Sequence, residues 1–424
     1  MTTVSQRTRR EVGGLIAAGA ALLAAPAVLR AQTAGRVIVV GGGFGGASCA
    51  RALRQVDAKL AVTLVEANRT FTACPLSNEV IAGLRDIGAQ QFGYDRIAAE
   101  GVRVVLQAAT AIDAPAHKIT LADGTTLAYD RLVLAPGIDI DFSALQGYDE
   151  AASTVMPHAY KAGEQTLLLR TQIEAMPEGG TVAIAVPANP SRCPPAPYER
   201  ASLIAHYLKA HKPKSKVLIL DAKDSFSQQK LFEQAWQELY PSLIERIPLS
   251  QGGRVTGVEI ATRTVVTEFG NYNPDVTNII PPQKAGRIAA LAGAADRTGW
   301  CPIDAATFAS KLVPDVHVIG DACLGGGIPK SASAAQAQGK ACAAVIASQL
   351  AGKTPRPPTL DAVCYSLLKP DKMLSFRGLY EPKGDIFELE WVFGGFDNWA
   401  DMSPAADAEG ARKWFRDVTA DAFG

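Results

Sequence analysis

The chain has 424 residues, 48% of them hydrophobic and 20% charged, which excludes both a single ordinary domain and a chain too polar to bury a core. Its 42 basic and 42 acidic side chains cancel, so no charge excess points to nucleic acid or to an anionic membrane surface as a partner.

The N-terminus reads as an address. Thr8-Arg9-Arg10-Glu11-Val12 precedes an apolar, alanine-rich run from Gly13 to Leu29, and then Arg30-Ala31-Gln32-Thr33-Ala34. This order predicts a signal peptide over residues 1–31, and the arginine pair points to twin-arginine export and a periplasmic location. A membrane anchor is the alternative, but the run is shorter than the ~20 residues that a span requires. In an oxidising compartment the seven cysteines can form lasting disulfides, and an odd total leaves at least one sulfur for other chemistry.

Arg36 to Val40 predicts a strand, Gly41 to Gly46 a turn and Ala47 to Gln55 a helix; Ala61 to Val65 is a second strand ending at Glu66. This is a βαβ unit. Val102 to Leu106, Lys118 to Leu121 and Arg131 to Leu134 read as further strands, with a hairpin-type turn at Ala122-Asp123-Gly124 between the last two. A second α/β block follows, with a strand at Thr181 to Val186, a helix at Tyr198 to Lys209 and a strand at Lys216 to Leu220. Val316 to Ile319 then leads through Gly320-Asp321 and a glycine loop into an alanine-rich helix from Ser331 to Leu350. Thr354-Pro355-Arg356-Pro357-Pro358 is a stiff linker to a C-terminal part rich in Phe, Trp and Tyr.

Gly41-Gly42-Gly43-Phe44-Gly45-Gly46 satisfies G-x-G-x-x-G between a strand and a helix. Gly41 permits the tight turn, Gly43 lets backbone approach a pyrophosphate beside Phe44, and Gly46 lets helix pack on strand. Glu66 follows about 20 residues later, where a carboxylate binds ribose hydroxyls. Leu132-Val133-Leu134-Ala135-Pro136-Gly137 resembles the segment that returns to the FAD domain in two-dinucleotide flavoproteins. Val316-His317-Val318-Ile319-Gly320-Asp321 resembles their late motif, which makes Gly137, Gly320 and Asp321 cofactor-binding candidates. Three such segments in order favour FAD over NAD.

The middle block lacks the corresponding glycines. Val186-Pro187-Ala188-Asn189-Pro190-Ser191-Arg192-Cys193-Pro194-Pro195 stands there instead, and prolines remove N–H donors from the turn. The expected fold class is therefore α/β, with two Rossmann-like dinucleotide-binding-type domains in a glutathione-reductase-like arrangement and a small C-terminal α+β domain. The expected limits are 36–146 with 281–352 for the FAD domain, 147–280 for a second domain without a working NAD site, and 359–424 for a C-terminal interface domain. No residue is assigned to a metal.

Asn68 to Ile81, Cys193-Pro194-Pro195-Ala196-Pro197-Tyr198-Glu199-Arg200 and Cys364-Tyr365-Ser366-Leu367-Leu368 resemble the flavoprotein subunit of flavocytochrome c sulfide dehydrogenase, and the likeness runs from about Arg36 to the C-terminus. The resemblance implies that Cys74 carries FAD through a covalent thioether, that Cys193 and Cys364 form a redox-active disulfide beside the flavin, and that Glu199 lies nearby; partial burial there would suit Glu199 to exchange protons with sulfide or a leaving thiolate. It also implies sulfide or a related small sulfur species as substrate, and a c-type cytochrome subunit, in a heterodimer, as electron acceptor. The chain contains no C-x-x-C-H, so haem belongs to that partner.

Read from the residues alone, a Cys193–Cys364 bond serves equally as a structural staple, and Glu199 equally as a surface partner of Arg200. Cys49 and Cys342 fall in apolar helices and read as core, while Cys301 and Cys323 receive no role. Trp391, Trp399 and Trp414 either shield the site or face the partner, or belong to the core. Three rival functions stand beside this reading: a membrane-associated sulfide:quinone oxidoreductase, a non-catalytic flavoprotein partner of a sulfur-oxidation system, and a pyridine-nucleotide-dependent disulfide reductase, against which the glycine-free middle turn argues. Against stable membrane insertion, Ala411-Arg412-Lys413-Trp414-Phe415 is short and charged.

Overall fold

The computed structural model describes residues 35–393 and 406–424. The twin-arginine segment and Trp399 lie outside the described residues.

The first layer is a five-stranded parallel sheet in the order Val316–Val318, Arg131–Leu134, Arg36–Val40, Ala61–Glu66, Arg103–Leu106. Val37 to Val40 pair with Val62 to Val65 on one side and with Arg131 to Leu134 on the other. A central parallel strand has helices or loops on both faces, which is why its residues are continuously apolar rather than alternating. The Phe44–Val56 helix crosses one face and packs along the Ala332–Leu350 helix. Their approach is close: a Cβ on Gly339 would stand 2.3 Å from the Gly45 carbonyl oxygen, so only glycine lets these helices touch there.

Ala122-Asp123-Gly124 does make a hairpin, but it joins Lys118–Leu121 to a short strand, Thr126–Ala128, that the sequence reading had not separated. Arg131–Leu134 goes instead to the parallel sheet. Leu132, Val133 and Leu134 are all fully buried, and a solvated hairpin cannot cover both faces of such a strand.

The second layer is a four-stranded parallel sheet, Ile244–Ile247, Lys216–Asp221, Thr181–Val186, Val276–Ile279. Beyond it Leu360–Lys369, Lys372–Lys383 and Ile386–Phe393 form an antiparallel sheet. The final helix, Ala406–Phe423, returns to the first layer. Phe423 stacks on Phe71 and Phe92 at 5.1 and 5.2 Å, and Arg51 donates to the carbonyls of Ala420 and Asp421. Buried Glu79 holds the same helix through Arg412 at 2.7 Å. Among the described residues no helix is long and apolar enough to cross a membrane.

Candidate functional site

The C-terminal end of Arg36–Val40 opens into the glycine turn. Gly41 has φ +103°, and a Cβ on Gly46 would lie 1.8 Å from the Gly41 carbonyl oxygen, so the helix can follow the strand only because both side chains are absent. Glu66 organises the turn: its carboxylate accepts from Gly42 N–H at 2.7 Å and Asn68 N–H at 2.9 Å. Gly41, Gly43, Phe44 and Glu66 line a cavity of about 550 Å³, within the size range of small-molecule and cofactor sites. Gly137, Gly320 and Asp321 line its wall as well, whereas Gly46 packs helix against strand behind it.

Two lining groups want a partner. The Tyr94 hydroxyl and Asp321 Oδ1 are buried without a hydrogen-bond partner in the described residues, and burial pushes the proton affinity of both upward. A glycine cradle at a helix start, a carboxylate at the next strand's end and two unsatisfied polar atoms in the lining fit a dinucleotide. The residues present therefore fit a flavin, held by the Gly41–Phe44 turn, Glu66 and Asp321.

Cys74, Cys193, Cys364 and Glu199 line the same cavity. They arrive from four places in the chain. Cys74 lies in the loop after Phe71–Thr72, and Glu199 in the first turn of the Ala196–His211 helix. Cys364 sits mid-strand in Leu360–Lys369, opposite Phe376. Cys193 has φ +46°, held by its own N–H to Lys330 O at 2.8 Å and by its carbonyl, which accepts from Ala196 N–H and the Tyr160 hydroxyl.

Each of the seven cysteines is a free thiol, so the Cys193–Cys364 bond implied by the resemblance is not formed here. The two thiols are nevertheless close enough to influence each other. Burial pushes Cys193 up, and nearby Cys364 and Glu199 add to the effect; burial pushes Cys364 up to about 11. Burial likewise raises Glu199 to about 7, against hydrogen bonds from Leu367 N–H at 3.1 Å and Asn78 Nδ2 at 2.9 Å, which favour its charged form. Such a carboxyl exchanges protons near neutrality beside two thiols that hold theirs.

Arg200 is not turned toward Glu199. Its guanidinium donates to Asn78 Oδ1, Asn278 Oδ1 and the carbonyls of His158 and Ala159, with Asn78 standing between it and Glu199. Asn78, Asn278 and Arg192 were missed in sequence. An Asn inside the short β-branched Val276–Ile279 strand was the one available signal; in the fold Asn278 has no solvent exposure. Arg192 lines the cavity with its guanidinium over the Tyr160 ring at 5.6 Å. Trp414 lines the cavity too, its ring 5.4 Å from Tyr365, whereas Trp391 is exposed. Cys49 and Cys342 are buried core residues, and Cys301 pairs in register with Cys323 on neighbouring short strands.

In the middle sheet the carboxylate at the matching place is engaged by neighbouring side chains. Asp221 ends the second strand, where a Rossmann unit binds ribose, yet it is fully buried and engaged by the Tyr198 hydroxyl at 2.6 Å and Arg246 at 2.9 Å. Tyr198 in turn stacks on Phe226, ring centroids 3.5 Å apart.

Residues 166–281 match the family model for the central part of the sulfide dehydrogenase (flavocytochrome c) flavoprotein chain, and residues 35–167 match the pyridine nucleotide-disulphide oxidoreductase model, a family that implies a flavin cofactor. The sulfide dehydrogenase (flavocytochrome c) flavoprotein chain of Chlorobaculum thiosulfatiphilum is 60% identical over 45 residues, 11% of this chain and 94% of that one. Mitochondrial sulfide:quinone oxidoreductase of Mus musculus is 24% identical over 317 residues, 71% of this chain and 68% of that one. The solved sulfide:quinone oxidoreductase of Aquifex aeolicus shares the fold, with a TM-score of 0.73 at 20% identity, covering 91% of this chain and 92% of that one.

Proposed function

This chain belongs to the family of sulfide dehydrogenase (flavocytochrome c) flavoprotein chains, an oxidoreductase family of sulfide-oxidising flavoproteins, and on that premise we propose that it oxidises sulfide at a Cys193–Cys364 disulfide and delivers the electrons to a c-type cytochrome subunit in the periplasm, after twin-arginine export. The observation that carries the reading is the convergence of Cys193, Cys364 and Glu199 on one wall of the cavity that fits a flavin.

In the proposed reaction HS⁻ attacks one sulfur of the disulfide. A new S–S bond forms to give a persulfide, the Cys–Cys bond breaks, and the other cysteine leaves as a thiolate. A second HS⁻ attacks the outer sulfur of the persulfide, releasing a disulfane anion and freeing the first cysteine. Re-forming the Cys193–Cys364 bond removes two electrons and the remaining thiol protons, for which Glu199 is the adjacent acceptor. A flavin held in this cavity by the Gly41–Phe44 turn, Glu66 and Asp321 would supply the acceptor for such an electron pair and the capacity for one-electron transfer. Arg192, beside Cys193, favours an anionic sulfur species at the mouth of the reaction.

The acceptor test compares cytochrome c with a soluble quinone analogue, sulfide being the donor. Cytochrome c should be reduced, and NADH should not replace sulfide, because Asp221, at the place where a nicotinamide dinucleotide's ribose would bind, is engaged by Tyr198 and Arg246. Turnover with the quinone alone would favour the second reading, a sulfide:quinone oxidoreductase, to which the match with the mouse enzyme also points. Sulfide turnover with neither acceptor would favour an accessory flavoprotein.

Cys74 borders the same cavity, and we assign it the thioether to the flavin. Acid-precipitated protein should keep its yellow colour in the pellet, and Cys74→Ser should release it. Colour in the supernatant of the unsubstituted protein would exclude the link.

A further inference from the structure

Glu199 is faced by titratable groups from every side. Cys193 precedes its helix and Arg200 follows it on that helix. Cys364 reaches it from the Leu360–Lys369 strand, and Glu79 from the Ser77–Ile81 helix. Its two oxygens are each held by one donor, Leu367 N–H on Oε1 and Asn78 Nδ2 on Oε2. Leu367 is backbone of the strand that carries Cys364, so its donor is available whatever the side chains do. The Asn78 donor depends on which way an amide is turned.

That amide cannot turn. Asn78 Oδ1 accepts from Arg200 Nε at 3.0 Å, and rotation would place NH₂ against a guanidinium and an oxygen against a carboxylate. Arg200 is fixed in turn by Asn278 Oδ1 at 2.6 Å and by the carbonyls of Ala159 and His158 at 2.6 and 3.2 Å. Asn278 donates to the carbonyls of Pro157 and His158, both at 2.8 Å. Asn78, Arg200 and Asn278 are 5%, 2% and 0% exposed, so water does not compete for these bonds.

We propose that Asn78 is a positioning residue for the sulfur chemistry: locked by Arg200, it aims its N–H at Glu199 and fixes that carboxyl beside Cys193 and Cys364. The inference deepens the reading of those two cysteines as the redox pair and rests on it for its purpose, though not for its test. An N–H aimed at the carboxylate favours the charged form, opposing burial and the neighbouring Glu79. Without the donor, Glu199 holds its proton to higher pH and accepts a thiol proton only there.

The test uses the flavin-loaded full chain and the infrared band of the protonated carboxyl that disappears in Glu199→Gln. In the unsubstituted protein this band should titrate near pH 7. Asn78→Ala should raise the midpoint by about one unit, a tenfold gain in proton affinity. Asn78→Asp keeps the size and the acceptor for Arg200 but sets a second carboxylate against the first, and should raise it further. The acid limb of the sulfide turnover profile should move in the same direction, since the proton acceptor must be ionised. Unchanged midpoints in both variants would overturn the proposal; should the Ala variant fail to fold, the Asp variant carries the decision. Absence of sulfide turnover in the unsubstituted protein would instead overturn the functional reading, and the band midpoint would still decide on Asn78.

Discussion

Cys193→Ser and Cys364→Ser are each expected to abolish sulfide-dependent reduction of cytochrome c while the purified protein stays yellow. A single serine leaves no S–S bond for HS⁻ to break, so the fall should reach roughly a thousandfold, equivalent to about 4 kcal/mol of transition-state stabilisation. Neither substitution touches the glycine cradle, Glu66 or Asp321, so flavin content should be unchanged. Serine is also nearly isosteric with cysteine, and both positions are only half-buried, so the fold should survive. The measurement is the rate of cytochrome c reduction at saturating sulfide with the flavin absorbance as internal standard. Full activity in either variant would remove the disulfide from the reaction and leave these sulfurs a structural role.

Gly46→Ala should have the largest effect on the cofactor. A methyl group 1.8 Å from the Gly41 carbonyl oxygen meets backbone of the turn that leaves the central strand, which cannot swing aside as a side chain would. The helix would have to withdraw by more than an ångström, taking the N–H groups of the turn away from the phosphate position. The protein should be recovered colourless, with a Tm lower by at least about 5 °C. Gly43→Ala is the matched control, because its nearest neighbour is the Phe71 ring at 3.4 Å. That variant should fold and bind flavin more weakly. A yellow Gly46→Ala protein of unchanged Tm would mean that the turn does not hold the cofactor.

The final helix shows how composition and placement can part. Its residues include Phe415 and Trp414, the latter of which at the level of sequence left a choice between shielding the site, facing a partner and joining the core. The structure gives them separate tasks. Trp414 lines the cavity, while Phe415 lies under Arg85 at 4.9 Å, and the Arg412–Glu79 ion pair ties the helix to the segment that follows Cys74. The docking depends on Glu79 being buried at a distant point of the chain, which no local pattern reveals.

By itself the sequence determined the parts whose physics is local. The strand, glycine turn, helix and second strand that end at Glu66 are contiguous, and their apolar runs and turn chemistry act between near neighbours. The α/β class followed from the same signals, as did the prolines where a nucleotide-binding turn would need free N–H groups. Only the tertiary structure decided what those pieces enclose. Cys74, Cys193, Glu199 and Cys364 meet because two parallel sheets and an antiparallel one pack around a single cavity, and packing between sheets has no signature within a short window of residues. The same holds for Asn78, Arg200 and Asn278, each unremarkable in its own segment. Their meaning comes from burial, which leaves each donor and acceptor only the protein's own groups as partners.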